Sequence, residues 1–177
     1  MRAGWREFLW FSALLLTQCT VLRADDRRYV IADQDAIRNV NPQRYAMEQL
    51  TAIVFMDPAQ QLIAGYKDVG NDEFWVAGHM PGYPLFPGVL MCEAAAQLCS
   101  YYITTNNLME GDYIGFGGLE NVRFRSPVRP GDRLLLIGKS TRINRRQTIF
   151  NVQGFVGTTM VFHADIIGVS LVRKQEG

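Results

Sequence analysis

One run in this chain is apolar on every side of a helix. From residue 89 to about 102 only Glu93 and Gln97 break the pattern, and at spacing i, i+4 they share a face. Pro87-Gly88 marks the helix start. Upstream, Asp33 can cap a short helix over 34–40, which Asn41-Pro42 ends. Residues 50–56 and 61–69 are apolar and β-branched, and Asp57-Pro58-Ala59-Gln60 between them is a turn sequence, so they predict a hairpin. After the long helix, strands are predicted over 113–125, 134–143, 148–156 and 160–172. The first has a glycine-rich weak point at 115–118. Arg129-Pro130-Gly131-Asp132 has proline and glycine where a type II turn needs them.

A single apolar helix among about six strands joined by short connections predicts an α+β fold. The strands pair antiparallel with their neighbours, and the sheet curls around the helix. Such a sheet keeps an edge strand, which invites a second copy, so a homodimer is the expectation.

Composition narrows the class. With 177 residues, 48% of them hydrophobic and 20% charged, the chain fits one soluble domain with a real core. A net charge of +1 gives no global attraction to nucleic acid. Cys92 and Cys99 stand about 10 Å apart along the proposed helix, too far to bridge, and predict free buried thiols in a reducing compartment. No Cys/His spacing suggests zinc and no glycine-rich phosphate loop occurs, so neither a metal nor a cofactor is expected. At the N-terminus, Arg2 and Arg6 precede an apolar segment over 8–22, followed by Asp25-Asp26-Arg27-Arg28. That layout is signal-like and too short for a stable membrane span. Leu22 violates the small-residue rule before Ala24. We therefore expect residues 1–28 to be an appendage, either signal-like or a start-site artefact, and 29–177 to be the domain.

The loop that opens the helix resembles that of the β-hydroxyacyl-[acyl-carrier-protein] dehydratases of FabZ type, which have a hot-dog fold. His79, Pro81, Gly82, Pro84, Pro87, Gly88, Val89, Leu90, Glu93, Ala96 and Gln97 match the family's site motif in register. A second block runs from Phe124-Arg125 through Pro127-Val128 to Pro130-Gly131-Asp132, and a third is Asn41-Pro42-Gln43-Arg44-Tyr45. Met80 departs from the usual phenylalanine, Phe86 from a commoner methionine, Gln43 from a histidine and Ala46 from a proline. Thr51-Ala52 stands where the family has Asp-Arg.

The resemblance implies dehydration of (3R)-3-hydroxyacyl-[acyl-carrier-protein] to the trans-2-enoyl product in fatty acid or related lipid synthesis. Elimination of water needs a base near neutral pH, an acid for the departing hydroxyl and fixed donors for the thioester oxygen. By resemblance His79 is the base, Glu93 the acid and the Gly88 N–H the oxygen donor. A carboxyl among apolar helix neighbours holds its proton to higher pH, which suits the acid's task. Gln97, an amide, is expected to hydrogen-bond in the site wall. Leu85, Phe86 and Val89 join Gly88 and Gln97 as candidate substrate-binding residues. His163 lacks such a context and is expected to be structural. Arg123 and Arg125 alternate with apolar neighbours, either as a strand's solvent face or as contacts for an acidic carrier.

In that family histidine and glutamate come from different subunits, so the implied assembly is a homodimer or a trimer of dimers, acting in the cytoplasm on acyl carrier protein. Two other functions compete, a hot-dog thioesterase and a non-catalytic acyl-binding protein. The His79…Glu93 pairing argues against both. The related dehydratase/isomerase type has aspartate where Glu93 stands, which favours simple dehydration.

Overall fold

The computed structural model describes residues 29–172. A short helix α1 (Gln34–Arg38) is capped by Asp33, whose Oδ1 accepts from Ala36 N–H at 2.9 Å. Strands β1 (Ala52–Asp57) and β2 (Leu62–Asp68) form the expected hairpin, with Gln60 N–H bonded to Asp57 Oδ1 at 3.0 Å in the turn. The long helix α2 (Gly88–Thr105) follows. Then come β3 (Tyr113–Phe124), β4 (Arg133–Ile143), β5 (Gln147–Val156) and β6 (Thr159–Leu171).

All six strands pair antiparallel in the order β1-β2-β4-β5-β6-β3, and α2 packs against β2, β3, β4 and β6. This is the hot-dog arrangement expected from the sequence. The helix is enclosed because its residues leave no polar stripe to face water. Buried side chains from Leu90 to Ile103 cover most of its circumference. Gly65 lets the helix come close: a Cβ there would lie 2.9 Å from Leu98 Cδ1 and 2.6 Å from the Ala52 carbonyl oxygen. Leu98 is fully enclosed at that contact, so its truncation to alanine removes about 2–5 kcal/mol of stability.

One expectation from connection length is corrected. Only eight residues separate β3 from β4 (125–132), yet the two strands are not neighbours. The chain leaves the edge strand β3, makes its turn at 129–132 and enters the sheet beside β2. The turn is as expected, with Gly131 at φ 94° and Asp132 N–H bonded to Arg129 O at 3.0 Å. The glycine-rich weak point of β3 is a register shift between Phe116 and Gly118, and a second shift follows between Glu120 and Arg123. Cys92 and Cys99 are free and buried. No described helix is long and apolar enough to cross a membrane.

Candidate active site

The segment between β2 and α2 has no helix or strand, so its shape rests on individual contacts. At its start, Val69 N–H bonds to Asp132 O at 3.0 Å and Gly131 N–H returns to Val69 O at 2.8 Å. At its end, Phe86 N–H bonds to Val128 O at 2.7 Å. The second sequence block therefore acts as the wall to which the histidine loop is tied.

His79 is held at three points. Its N–H donates to Trp75 O at 2.8 Å, its carbonyl accepts from Leu85 N–H at 2.9 Å, and its ring Nδ1 lies 2.8 Å from Leu85 O. A carbonyl oxygen can only accept, so Nδ1 carries the hydrogen, and in the neutral ring the lone pair is on Nε2. The backbone thus fixes the tautomer a general base requires.

Glu93 is half-buried on α2, one turn before Gln97, which is 2% exposed. Gln97 Nε2 donates to Glu93 Oε1 at 2.7 Å and to Met47 O at 2.6 Å, while its Oε1 accepts from Gln49 N–H at 2.9 Å. The backbone N–H can only donate and the Met47 carbonyl can only accept. The amide therefore has a single satisfied orientation. Glu93 Oε1 is an acceptor in that arrangement, so a proton on this carboxyl sits on Oε2. Asn41 Nδ2 adds a bond to Gln97 O at 2.9 Å, so the third sequence block is sewn to the helix beside the glutamate.

A small cleft opens between α2 and strands β3 and β6, lined by Glu93 with Gln43, Ala96, Cys99, Ile103 and Phe116 among others. Of the candidate residues named from sequence, only Glu93 lines it. Phe86 is buried against Trp75, with ring centroids 5.4 Å apart. Val89 is 74% exposed and Gln97 is committed to its protein partners. Leu85 holds His79 through its backbone. At Gly88 a Cβ would meet the Phe124 ring at 2.8 Å, so glycine is what lets this ring pack against the helix start. Pro87 provides no side-chain cap for the helix start. Gln43, Ser100 and the glycine-flanked Phe116 were not singled out as site residues by the sequence. Ser100 and Phe116 share placement on the faces of α2 and β3 that the fold turns toward each other, while Gln43 reaches the cleft from the segment after α1.

His163 Nδ1 lies 3.2 Å from the Arg125 guanidinium, away from the cleft lining, and Arg123 is exposed beside it on β3. Among the described residues no group of His, Cys, Asp or Glu side chains could hold a metal ion.

A sheet wrapped on one helix, with a tautomer-locked histidine in the loop before it and a glutamate in its second turn, defines a class, and comparison with known proteins agrees. Residues 41–165 match the FabA-like domain, and the chain belongs to that family. Within it the relatives are of FabZ type. The chain is 34% identical over 137 residues to the 3-hydroxyacyl-[acyl-carrier-protein] dehydratase FabZ of Desulfotalea psychrophila, covering 74% of this chain and 88% of that protein. It is 33% identical over 142 residues to the FabZ of Hydrogenobaculum sp., covering 79% and 94%. Among solved structures, the dehydratase heterocomplex ApeI:P from Xenorhabdus doucetiae superposes with a TM-score of 0.66 at 12% identity, over 77% of this chain and 91% of that one. The sigma28-regulated virulence protein Cj0977 from Campylobacter jejuni does so at 0.61 and 18% identity, over 82% and 95%. These two likenesses speak to the fold.

Proposed function

We propose that this chain is a 3-hydroxyacyl-[acyl-carrier-protein] dehydratase, a hydro-lyase that converts the (3R)-3-hydroxyacyl thioester to the trans-2-enoyl thioester. The observation that carries this reading is the Nδ1-to-Leu85 bond, which leaves His79 Nε2 free to accept a proton. Nε2 removes the α-proton, and the thioester oxygen takes up charge against the Gly88 N–H at the uncapped start of α2. The electron pair forms the α,β double bond. The β-hydroxyl leaves with the proton from Glu93 Oε2 as water. His79 is then protonated and Glu93 ionised, and passage of that proton from one to the other restores the site.

Substrate enters along the cleft beside Glu93, with its acyl chain against Ile103 and Phe116. His79 is not part of that cleft's lining in one chain. In our reading His79 of a second copy completes the site across the free edge of β3, giving a homodimer or a trimer of dimers. Exposed Arg123 near the end of β3 and Arg125 just beyond it suit contact with an acidic acyl carrier protein. The buried free thiols fit a reducing cytoplasm, and residues 1–28, outside the described span, form a separate appendage in this reading. Fusing 1–28 to a periplasmic reporter tests the location, since efficient export with cleavage near Ala24 would overturn it.

The reaction itself is tested by incubating the full chain with 3-hydroxyacyl carrier proteins of several lengths. Enoyl product is expected. Release of free 3-hydroxy acid would indicate a thioesterase, and unchanged substrate an acyl-binding protein.

A further inference from the structure

We propose that Lys67 and Glu73 are positioning residues for His79, acting as a buried ion pair whose hold is transmitted through Trp75. The inference rests on His79 being the catalytic base. Lys67 lies at the end of β2 on the helix-facing side of the sheet, and its Nζ is 3.0 Å from Glu73 Oε1. Their side chains are only 9% and 14% exposed. Burying two charges costs about several kcal/mol per ion before their attraction is counted, so stability alone is a weak reason to place a pair here.

The geometry gives a better one. Glu73 gathers three donors: Lys67 Nζ, Gly70 N–H at 2.8 Å and Trp75 Nε1–H at 3.1 Å. The carboxylate therefore fixes both the first turn of the loop and the indole. The Trp75 ring packs on Phe86, two residues before the helix start, and the Trp75 carbonyl accepts from His79 N–H at 2.8 Å and Gly78 N–H at 3.1 Å. A continuous path thus runs from sheet to base: Lys67 to Glu73, Glu73 to the indole, and Trp75 O to the His79 backbone. A segment without helix or strand has no other regular scaffold. Displacing a catalytic group by about 1 Å costs about 10²-fold in rate. The pair sets where His79 stands and touches no reacting atom.

Trp75→Phe is the cleanest probe, because it keeps an aromatic ring beside Phe86 while removing the Nε1–H that Glu73 accepts. Its kcat is expected to fall about tenfold with KM within about twofold. Lys67→Met should fall further, to about 10²-fold, and Lys67→Arg should recover part of that loss. The decisive measurement repeats Trp75→Phe in a His79→Ala background, where a residue acting through the base has nothing left to misplace. Absence of further loss there supports the proposal. An equal loss in both backgrounds, or an unchanged kcat for Trp75→Phe, overturns it. An inactive wild type would instead defeat the dehydratase reading. The His79 Nδ1–H resonance, assigned by its disappearance in His79→Ala, still decides in that case: it moves in Trp75→Phe if the path exists and stays if it does not.

Discussion

Gln97 Nε2 stands 2.7 Å from Glu93 Oε1, and the amide that carries it cannot turn over. Turning it would set its Oε1 against the Met47 carbonyl and its N–H groups against Gln49 N–H. A residue that never contacts substrate in our reading thereby decides which carboxyl oxygen carries the acidic proton.

Replacing Gln97 with leucine should therefore lower both stability and rate. It leaves the buried Gln49 N–H without its acceptor, at a cost of about 1–3 kcal/mol. With Glu93 free to rotate, kcat should fall on the order of tenfold. Guanidinium denaturation and steady-state kinetics on one preparation separate the two effects.

His79→Ala and Glu93→Ala should each lose about 10²–10⁴-fold in kcat with circular dichroism unchanged. A loss below tenfold at either position would remove it from the mechanism.

If the pair meets across two copies, mixing these inactive variants under subunit exchange should restore about a quarter of wild-type activity. That fraction follows from random dimers in which half are mixed and each has one intact site of two. Demonstrated mixed dimers with no recovery would put the whole site in one chain.

Burial pushes the Cys92 thiol up to about 11, and the Cys99 thiol higher still. Since the thiolate is the reactive species, neither should react with a disulfide reagent at pH 8 in the folded protein. With Cys19, the third cysteine of the sequence, replaced by serine, both should react only after denaturant is added. Reaction in native buffer would mean that α2 opens.

Burial first, then the charges of Arg125 and Arg123, holds the His163 imidazole below its ordinary 6.5, with Asp165 opposing. Because arginine only donates, the bond at 3.2 Å requires an unprotonated Nδ1. The folded chain therefore binds this proton less readily than the unfolded chain. The associated stability is complete above pH 6.5 and lost as pH falls through the lowered folded value. The slope of melting temperature against pH below 6.5 should flatten in His163→Gln, and the imidazole should titrate higher in Arg125→Gln.

Helix α2 and the β1–β2 hairpin were legible in the sequence because local patterns determine them. The helix extends to Thr105, beyond the expected 102, because Ile103 is still buried and the chain can stop only past it. The pairing of β3 with β6 was not legible. Strand order depends on where the chain crosses the helix, and loop length does not encode that.

At the candidate site, the resemblance pointed to His79 and Glu93 through the motif that holds them. The partners that orient Gln97 lie 48 and 50 residues away, on a segment without periodicity. In the sequence Lys67 is only a charged residue within the segment 61–69. Its meaning depends on Glu73 folding back under the loop, which sequence spacing does not encode.

The strand order also sets a timetable for synthesis. β3 has Phe116, Leu119 and Phe124 exposed, and its sole strand partner, β6, is the last described strand to leave the ribosome. While β4 and β5 are being made, β3 has both backbone edges open and no sheet to join. A nascent chain is thus at its most adhesive late in translation, and each pause between codons 125 and 159 lengthens that window. Yield of folded protein should then depend more on holdase chaperones and on growth temperature than its final stability would suggest.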